Sequence, residues 1–294
     1  MKLSLIFPQT EIGNDPVAIR DWAQGAEGLG YDQAQLFEHV LGGNPATYTD
    51  LRGYTHETPF HEPFVLMGYL ASITERIELA TGIVILPQRQ TVLVAKQAAE
   101  VDILSGGRLR LGVAVGRNPL EFEGLGENFH NRGRRIEEQV EVMRALWTNE
   151  TVTFHGKWHH INDAGINPLP IQRPIPIWMG GGASETVLQR IGRMADGWIP
   201  GGTTASETRP QVETIWEAAR SAGRDPGQII LLPRMMAPKQ SDPDQWRAFA
   251  EGWRELGAQY VVLNTMRCGF TRPEQHLELA KEFKEALQGV VTAA

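Results

Sequence analysis

Short continuous apolar runs at 3–7, 31–37, 77–86, 109–116, 175–179, 196–200, 229–232 and 259–263 alternate with stretches whose apolar residues recur every three or four positions. The first pattern belongs to strands buried on both faces, the second to helices that cover them. Asp15-Pro16 opens a helix whose apolar face is Ala18, Ile19, Trp22, Ala26 and Leu29, ended by Gly30. Further helices are expected at 63–74, 91–104, within 131–148, after Ser184, at 207–222, after Asp242-Pro243 and at 273–287. Eight strands alternating with helices predict a (β/α)8 TIM barrel rather than a doubly wound sheet. The segment 119–175 fits the alternation least. It holds a helix, the run VTFHGKWHHI that alternates about a Gly-Lys turn, and a proline-dense stretch at 167–176. It is read as an insertion between the fourth and fifth strands of a single barrel domain spanning 1–294.

Residues 76–118 form one complete strand, helix, strand unit. Pro87 closes its first strand, and Thr91 is placed to cap a helix bearing Val92, Ala95, Ala98, Ala99 and Leu104, which Ser105-Gly106-Gly107 stops. Two buried strands joined by one crossover helix are parallel neighbours with a right-handed connection. The second strand is bulky on one face (Leu109, Leu111, Val113, Val115) and bare on the other (Gly112, Ala114, Gly116). The first carries Thr81-Gly82 in mid-run, where glycine marks a bulge or the close approach of a ligand. Parallel strands bind ligands at their carboxyl ends, so a flat ligand is expected over Gly82 and Gly116.

The length of 294 residues exceeds the ~250 of a plain barrel by about one insertion. A net charge of −7 with scattered Lys and Arg leaves no electrostatic footprint for nucleic acid or an anionic membrane. The lone Cys268 excludes an internal disulfide, and no apolar run approaches the ~20 residues that span a bilayer. The start MKLSLIF lacks a cleavage site, so a cytoplasmic enzyme acting on a small molecule is expected.

Candidate chemistry gathers at strand ends. Glu38-His39 closes the second strand, where a histidine can serve as acid, base or donor near neutral pH. Glu11, just past the first strand, is placed to point into the same mouth. The run Gly180-Gly181-Gly182-Ala183-Ser184 before a helix is a phosphate cradle in waiting, and Gly201-Gly202-Thr203 follows the sixth strand in the same manner. A GxGxxG motif after strand one is absent, which argues against a Rossmann domain. The loop 40–62 is long enough for a lid. His56, Glu57, His61 and Glu62, and the pair His159-His160, lack the spacing that holds a metal, and no metal is expected. Trp216, Trp246 and Trp253 fall on apolar helix faces and read as core.

Several stretches together, EPFVLMGYLASITERIELATGIVILPQR, AKQAAEVDILSGGRLRLGVAVGRN, EFEGLG, NRGRR and ADGWIP, make the chain resemble the luciferase-like monooxygenase superfamily, and within it the branch using coenzyme F420. The resemblance runs from strand one to about Pro200. It implies a deazaflavin ring over a non-prolyl cis peptide at Gly82-Ile83, with Glu38 and His39 lining ring and substrate. It also implies cofactor contacts from Thr81, Gly116, Arg117 and Asn118, and a phosphate held by 180–184 and Gly201. Sugar-phosphate dehydrogenases of the superfamily carry a glutamate where this chain has Arg117, and a tryptophan shortly after the histidine that is missing from 40–47. Their sugar oxidation is therefore not expected, and His39 is left as the proton-transfer residue, with Glu11 the second acid–base candidate. The implied activity is hydride transfer between F420 and a small carbonyl, activated alkene or alcohol. The alternatives are an FMN-dependent monooxygenase fed by a partner reductase, and a cofactor-binding relative without turnover. A homodimer is the superfamily's habit.

Overall fold

A computed structural model describes residues 1–49, 51, 54–201, 204–237 and 242–291. The buried run at the start forms β1 (Lys2–Ile6), followed by α1 (Pro16–Gly28), whose cap Asp15 accepts from the Val17 amide at 2.9 Å. Then come β2 (Gln33–Leu36), α2 (Pro63–Ile73), β3 (Glu78–Thr81), β4 (Val84–Ile85), α3 (Thr91–Leu104) and β5 (Leu109–Ala114). The fourth connection holds α4 (Pro119–Gly124), α5 (Arg132–Thr148) and the strands β6 (Val152–His155) and β7 (His160–Ala164). The chain continues through β8 (Ile177–Gly180), α6 (Glu185–Met194), β9 (Gly197–Ile199) and α7 (Ala205–Ser221). It finishes with β10 (Ile230–Leu231), β11 (Arg234–Met236), α8 (Pro243–Glu255), β12 (Tyr260–Asn264) and α9 (Pro273–Ala286).

The parallel ladder runs β10-β9-β8-β5-β3-β2-β1-β12-β11. Its two ends, β10 and β11, are halves of one strand interrupted at Leu232-Pro233. The Leu232 amide donates to Trp198 O at 3.0 Å on one side, and Pro233 O accepts from the Val262 amide at 2.9 Å on the other. Proline has no N–H, so the strand changes partner where its own ladder bond would fail. The sheet thereby closes, and with β3 and β4 counted as one interrupted strand the circle has the eight staves of a (β/α)8 barrel. The antiparallel pair β6-β7 stands outside it.

The barrel interior is layered. At the amino-terminal end Glu78 gathers Lys2 Nζ (3.1 Å), Arg110 Nη2 (3.0 Å), Gln33 Nε2 (3.1 Å) and Tyr260 Oη (2.6 Å). Above it an apolar layer of Ile6, Ala80, Trp178, Ile199, Leu232 and Val262 fills the centre. Outside, strand faces pack on the helices around Trp22, Trp147 and Trp253. Trp246 is buried with them, while Trp216 is only partly covered.

Several expectations are corrected. The strand expected over 77–86 is broken at Gly82-Ile83. The cis peptides of the described residues are Asn167–Pro168 and Arg173–Pro174, so the expected cis bond at Gly82-Ile83 is not present. The two-residue gap between β3 and β4 makes the offset instead, with the Gly82 amide donating to Leu36 O at 2.7 Å. Strand seven, expected to end at Leu232, continues as β11. Gln90, not Thr91, is the N-cap of α3. Thr91 Oγ1 lies 2.6 Å from His159 Nε2 and accepts from Gln139 Nε2 at 3.0 Å, fastening the β6-β7 hairpin to the barrel. Within 119–175, α5 covers the barrel as a crossover helix does, its Trp147 donating to Ala95 O of α3 at 2.9 Å.

Candidate active site

At the carboxyl ends of the strands lies a cavity of about 480 Å³, within the range of small-molecule and cofactor sites. Its walls bring together residues far apart in sequence: His39 after β2, Gly82 and Ile83 between β3 and β4, Gly116 and Arg117 after β5, Gly180 to Gly182 at the end of β8, and Gly201 after β9. Gly202 and Thr203 lie outside the described residues. Gly116 has φ +70°, and a Cβ there would stand 2.4 Å from a methyl of Ile85. The wall at that point admits only glycine. Around Gly182 and Gly201 a Cβ would meet nothing, so backbone there faces open space.

His39 is held from one side. Its Nδ1 lies 3.1 Å from Glu121 Oε2, and the other oxygen of Glu121 accepts from the Val40 amide at 2.8 Å. Glu121 is fully buried in the first turn of α4, which Asn118 caps by accepting from the Leu120 amide. Tyr54 and Phe60 flank the imidazole, each with its ring centroid 4.8 Å away. With Nδ1 committed to a carboxylate, Nε2 is the atom left to exchange a proton in the cavity.

Glu38 also borders the cavity, but its carboxylate is engaged elsewhere. It accepts from the Ile85 amide at 2.5 Å and pairs with Arg89, which reaches on to Glu62 at 2.8 Å. Burial pushes the Glu38 carboxyl up from its ordinary range, with Arg89 and the Ile85 amide pulling against it. Its place is to pin β4 beside β2.

Arg234, which the sequence reading did not single out, enters the cavity from β11. Its guanidinium lies 4.9 Å from the centre of the Phe37 ring and donates to Gly82 O at a long 3.4 Å. Burial pushes it down to about 10. The signal was available: Ile230 and Leu232 face the barrel interior, so position 234 is the next inward residue once the strand is extended past the proline.

The other expected residues fall around the cavity rather than on its wall. Thr81 Oγ1 donates to Gly112 O at 2.6 Å inside the sheet. Asn118 borders a side recess of about 120 Å³ that shares His39 and Arg117 with the main cavity. Ala183 opens toward a surface groove between α6 and α7, and Ser184 is the N-cap of α6 without a side-chain capping bond. Glu11 turns away: it accepts from the Arg267 amide at 2.5 Å and lies 3.6 Å from Nε2 of buried His276. Among the described residues no group of three or more His, Cys, Asp or Glu could hold a metal ion, and no helix is long and apolar enough to cross a membrane.

Comparison with known proteins agrees with this architecture. The profile of the luciferase-like monooxygenase family matches residues 4–288. An uncharacterised protein of Mycobacterium tuberculosis is 34% identical over 217 residues, 71% of this chain and 74% of that one. An FMNH2-dependent dimethylsulfone monooxygenase of Pseudomonas putida is 31% identical over 166 residues, 55% of this chain and 46% of that one. An F420-dependent secondary alcohol dehydrogenase, solved with an F420-acetone adduct, superposes with a TM-score of 0.77 at 18% identity, covering 97% of this chain and 98% of that one. That last likeness is one of fold.

Proposed function

The chain belongs to the luciferase-like monooxygenase family, and from that premise we propose that it is an F420-dependent oxidoreductase acting on a small carbonyl, activated alkene or alcohol. The observation that carries this reading is the His39–Glu121 pair opening into a cavity walled by glycine and aliphatic side chains, a shape suited to a flat ring. Ile83, Ile85 and Val115 offer apolar surface to such a ring, and the amides of 180–182 with Arg117 suit a phosphate on its tail. A bound deazaflavin supplies or accepts a hydride. When a carbonyl is reduced, hydride arrives at carbon and the oxygen takes a proton from His39 Nε2; alcohol oxidation runs the same transfers in reverse. Glu121 balances the imidazolium whenever His39 holds that proton. Residues 54–60 of the loop after β2, through Tyr54 and Phe60, shield the imidazole from bulk water.

The named relatives include both cofactors' users, so FMN-dependent oxygenation served by a reductase is the second reading. Titration of the purified protein with F420 and separately with FMN, followed by quenching of tryptophan fluorescence, decides between them. F420 is expected to bind at least tenfold more tightly. Tighter FMN binding with oxygen uptake would replace the first reading by the second. We further propose a homodimer formed through α2 and α3, where Val65 (74% exposed) and Leu93 (51%) are apolar and uncovered. Sedimentation at micromolar concentration is expected to give twice the chain mass, and Val65→Lys with Leu93→Lys to give the monomer; a wild-type monomer rejects it.

A further inference from the structure

Among the described residues Arg108 and Arg234 are both partly buried without a carboxylate partner, and they are treated differently. Arg108 spends its donors on Ser105 O, Ile77 O, Ala71 O, Thr74 O and Thr74 Oγ1, at distances from 2.6 to 3.2 Å. It is a structural cation, satisfied by backbone. Arg234 has the long contact to Gly82 O and the face of Phe37, while its Nε is shielded from solvent with no acceptor. A guanidinium carries five donors, and burying its charge without acceptors costs stability. Among the described residues the cavity offers it no free anion: Glu38 is bound to Arg89 and Ile85, and the other ionised side chain on the described wall is the cation Arg117. In a chain of net charge −7, the described wall thus carries two arginines against one carboxylate that is already paired. Tyr54, whose ring packs on His39, borders the same cavity, so an anion seated on the guanidinium would share that cavity with the proton-transfer group.

We propose that Arg234 selects the substrate, which is a small organic carboxylate bound through its carboxylate oxygens to this guanidinium with its reacting carbon toward His39. The proposal deepens the oxidoreductase reading and rests on that site. Carboxylate and guanidinium match as a two-bonded pair, and the pair is worth most where water is excluded. Neutral ketones and alcohols of equal size would leave the cation uncompensated and bind less well. The oxidoreduction itself is unchanged: hydride at carbon, proton at oxygen through His39, and the carboxylate a spectator that fixes orientation.

The test uses the full chain, wild type and the variants Arg234→Met, Arg234→Gln and Arg234→Lys. Calorimetric titration with the straight-chain carboxylates from acetate to octanoate is compared with the matching primary amides, with and without saturating F420 or FMN. At least one carboxylate is expected to bind tenfold or more tightly than its amide, a ratio of the size that one charge-assisted pair supplies. Arg234→Lys keeps part of this preference; Arg234→Met and Arg234→Gln erase it, and cofactor affinity stays within about twofold. Thermal melting gives a readout that a structural role would not produce. Removing an unsatisfied buried charge is expected to raise the melting temperature of Arg234→Met by ~2 °C or more. The inference is overturned if no carboxylate of the series outbinds its amide, or if the preference survives in Arg234→Met. It is equally overturned if the variant loses tenfold in cofactor affinity, which would assign the guanidinium to the ring, or if it melts lower than wild type. If neither F420 nor FMN binds yet the acid preference depends on Arg234, the redox reading fails and this one stands.

Discussion

His39→Ala is expected to lower turnover by about 10²–10⁴-fold while cofactor affinity stays within about twofold, because the imidazole moves a proton and is not a main part of the cradle. The expectation follows from a half-closed hydrogen-bond account: Nδ1 is committed to Glu121 and the ring is boxed by Tyr54 and Phe60, leaving Nε2 to the cavity. Glu121→Gln should be milder, about 10–100-fold, since it leaves the ring in place. Steady-state kinetics on the three proteins check this. Equal rates in His39→Ala would end the proton-transfer role; an unchanged rate in Glu121→Gln would leave Glu121 a packing residue.

Arg89→Leu should be among the most destabilising single changes in the barrel, costing ~3–5 kcal/mol and lowering the melting temperature by roughly 6–20 °C. Glu38 is buried, and its charge is met by Arg89 and one amide. Taking away the cation leaves an anion in an apolar wall, which costs far more than the pair contributes. Adding Glu38→Met to Arg89→Leu should recover much of the loss, since no charge then remains to be compensated. Thermal denaturation of wild type, single and double variants measures both effects. A single variant within ~1 kcal/mol of wild type would mean that the carboxyl is neutral in the folded protein or reached by water.

The barrel was legible because its strands are covered on both faces and therefore read as unbroken apolar runs, a pattern that survives without knowledge of partners. The glycines of the cavity were legible for a related reason: Gly82, Gly116 and Gly180 to Gly182 sit at strand ends, where a missing side chain has few explanations other than close approach. His39 stood out as a titratable group at the same level. What escaped was decided by side-chain direction. The sequence places Glu11 toward the mouth, yet it turns to the Arg267 amide and His276; Glu38 borders the cavity but commits its carboxylate along the wall to Arg89. Glu121 lay inside a motif that carried the resemblance, and only the folding of α4 against β2 brings it to His39. Arg234 was hidden by Pro233, which ended the apolar run one step before the inward phase reached it.

Glu78 at the base of the barrel bears on which sheet the chain can form at all. One carboxylate serves groups from β1, β2, β5 and β12, all of them pointing to the axis. A slip of one residue in any of these strands sends its polar group outward into the helix layer and its apolar neighbours inward. Such a misaligned closure would leave Lys2 or Arg110 without its counterion and Glu78 short of donors, a penalty that grows with each strand out of phase. A purely aliphatic layer, indifferent to which methyl meets which, would charge far less for the same error. The hub thus acts as a key for strand alignment, making the observed register lower in free energy than its neighbours.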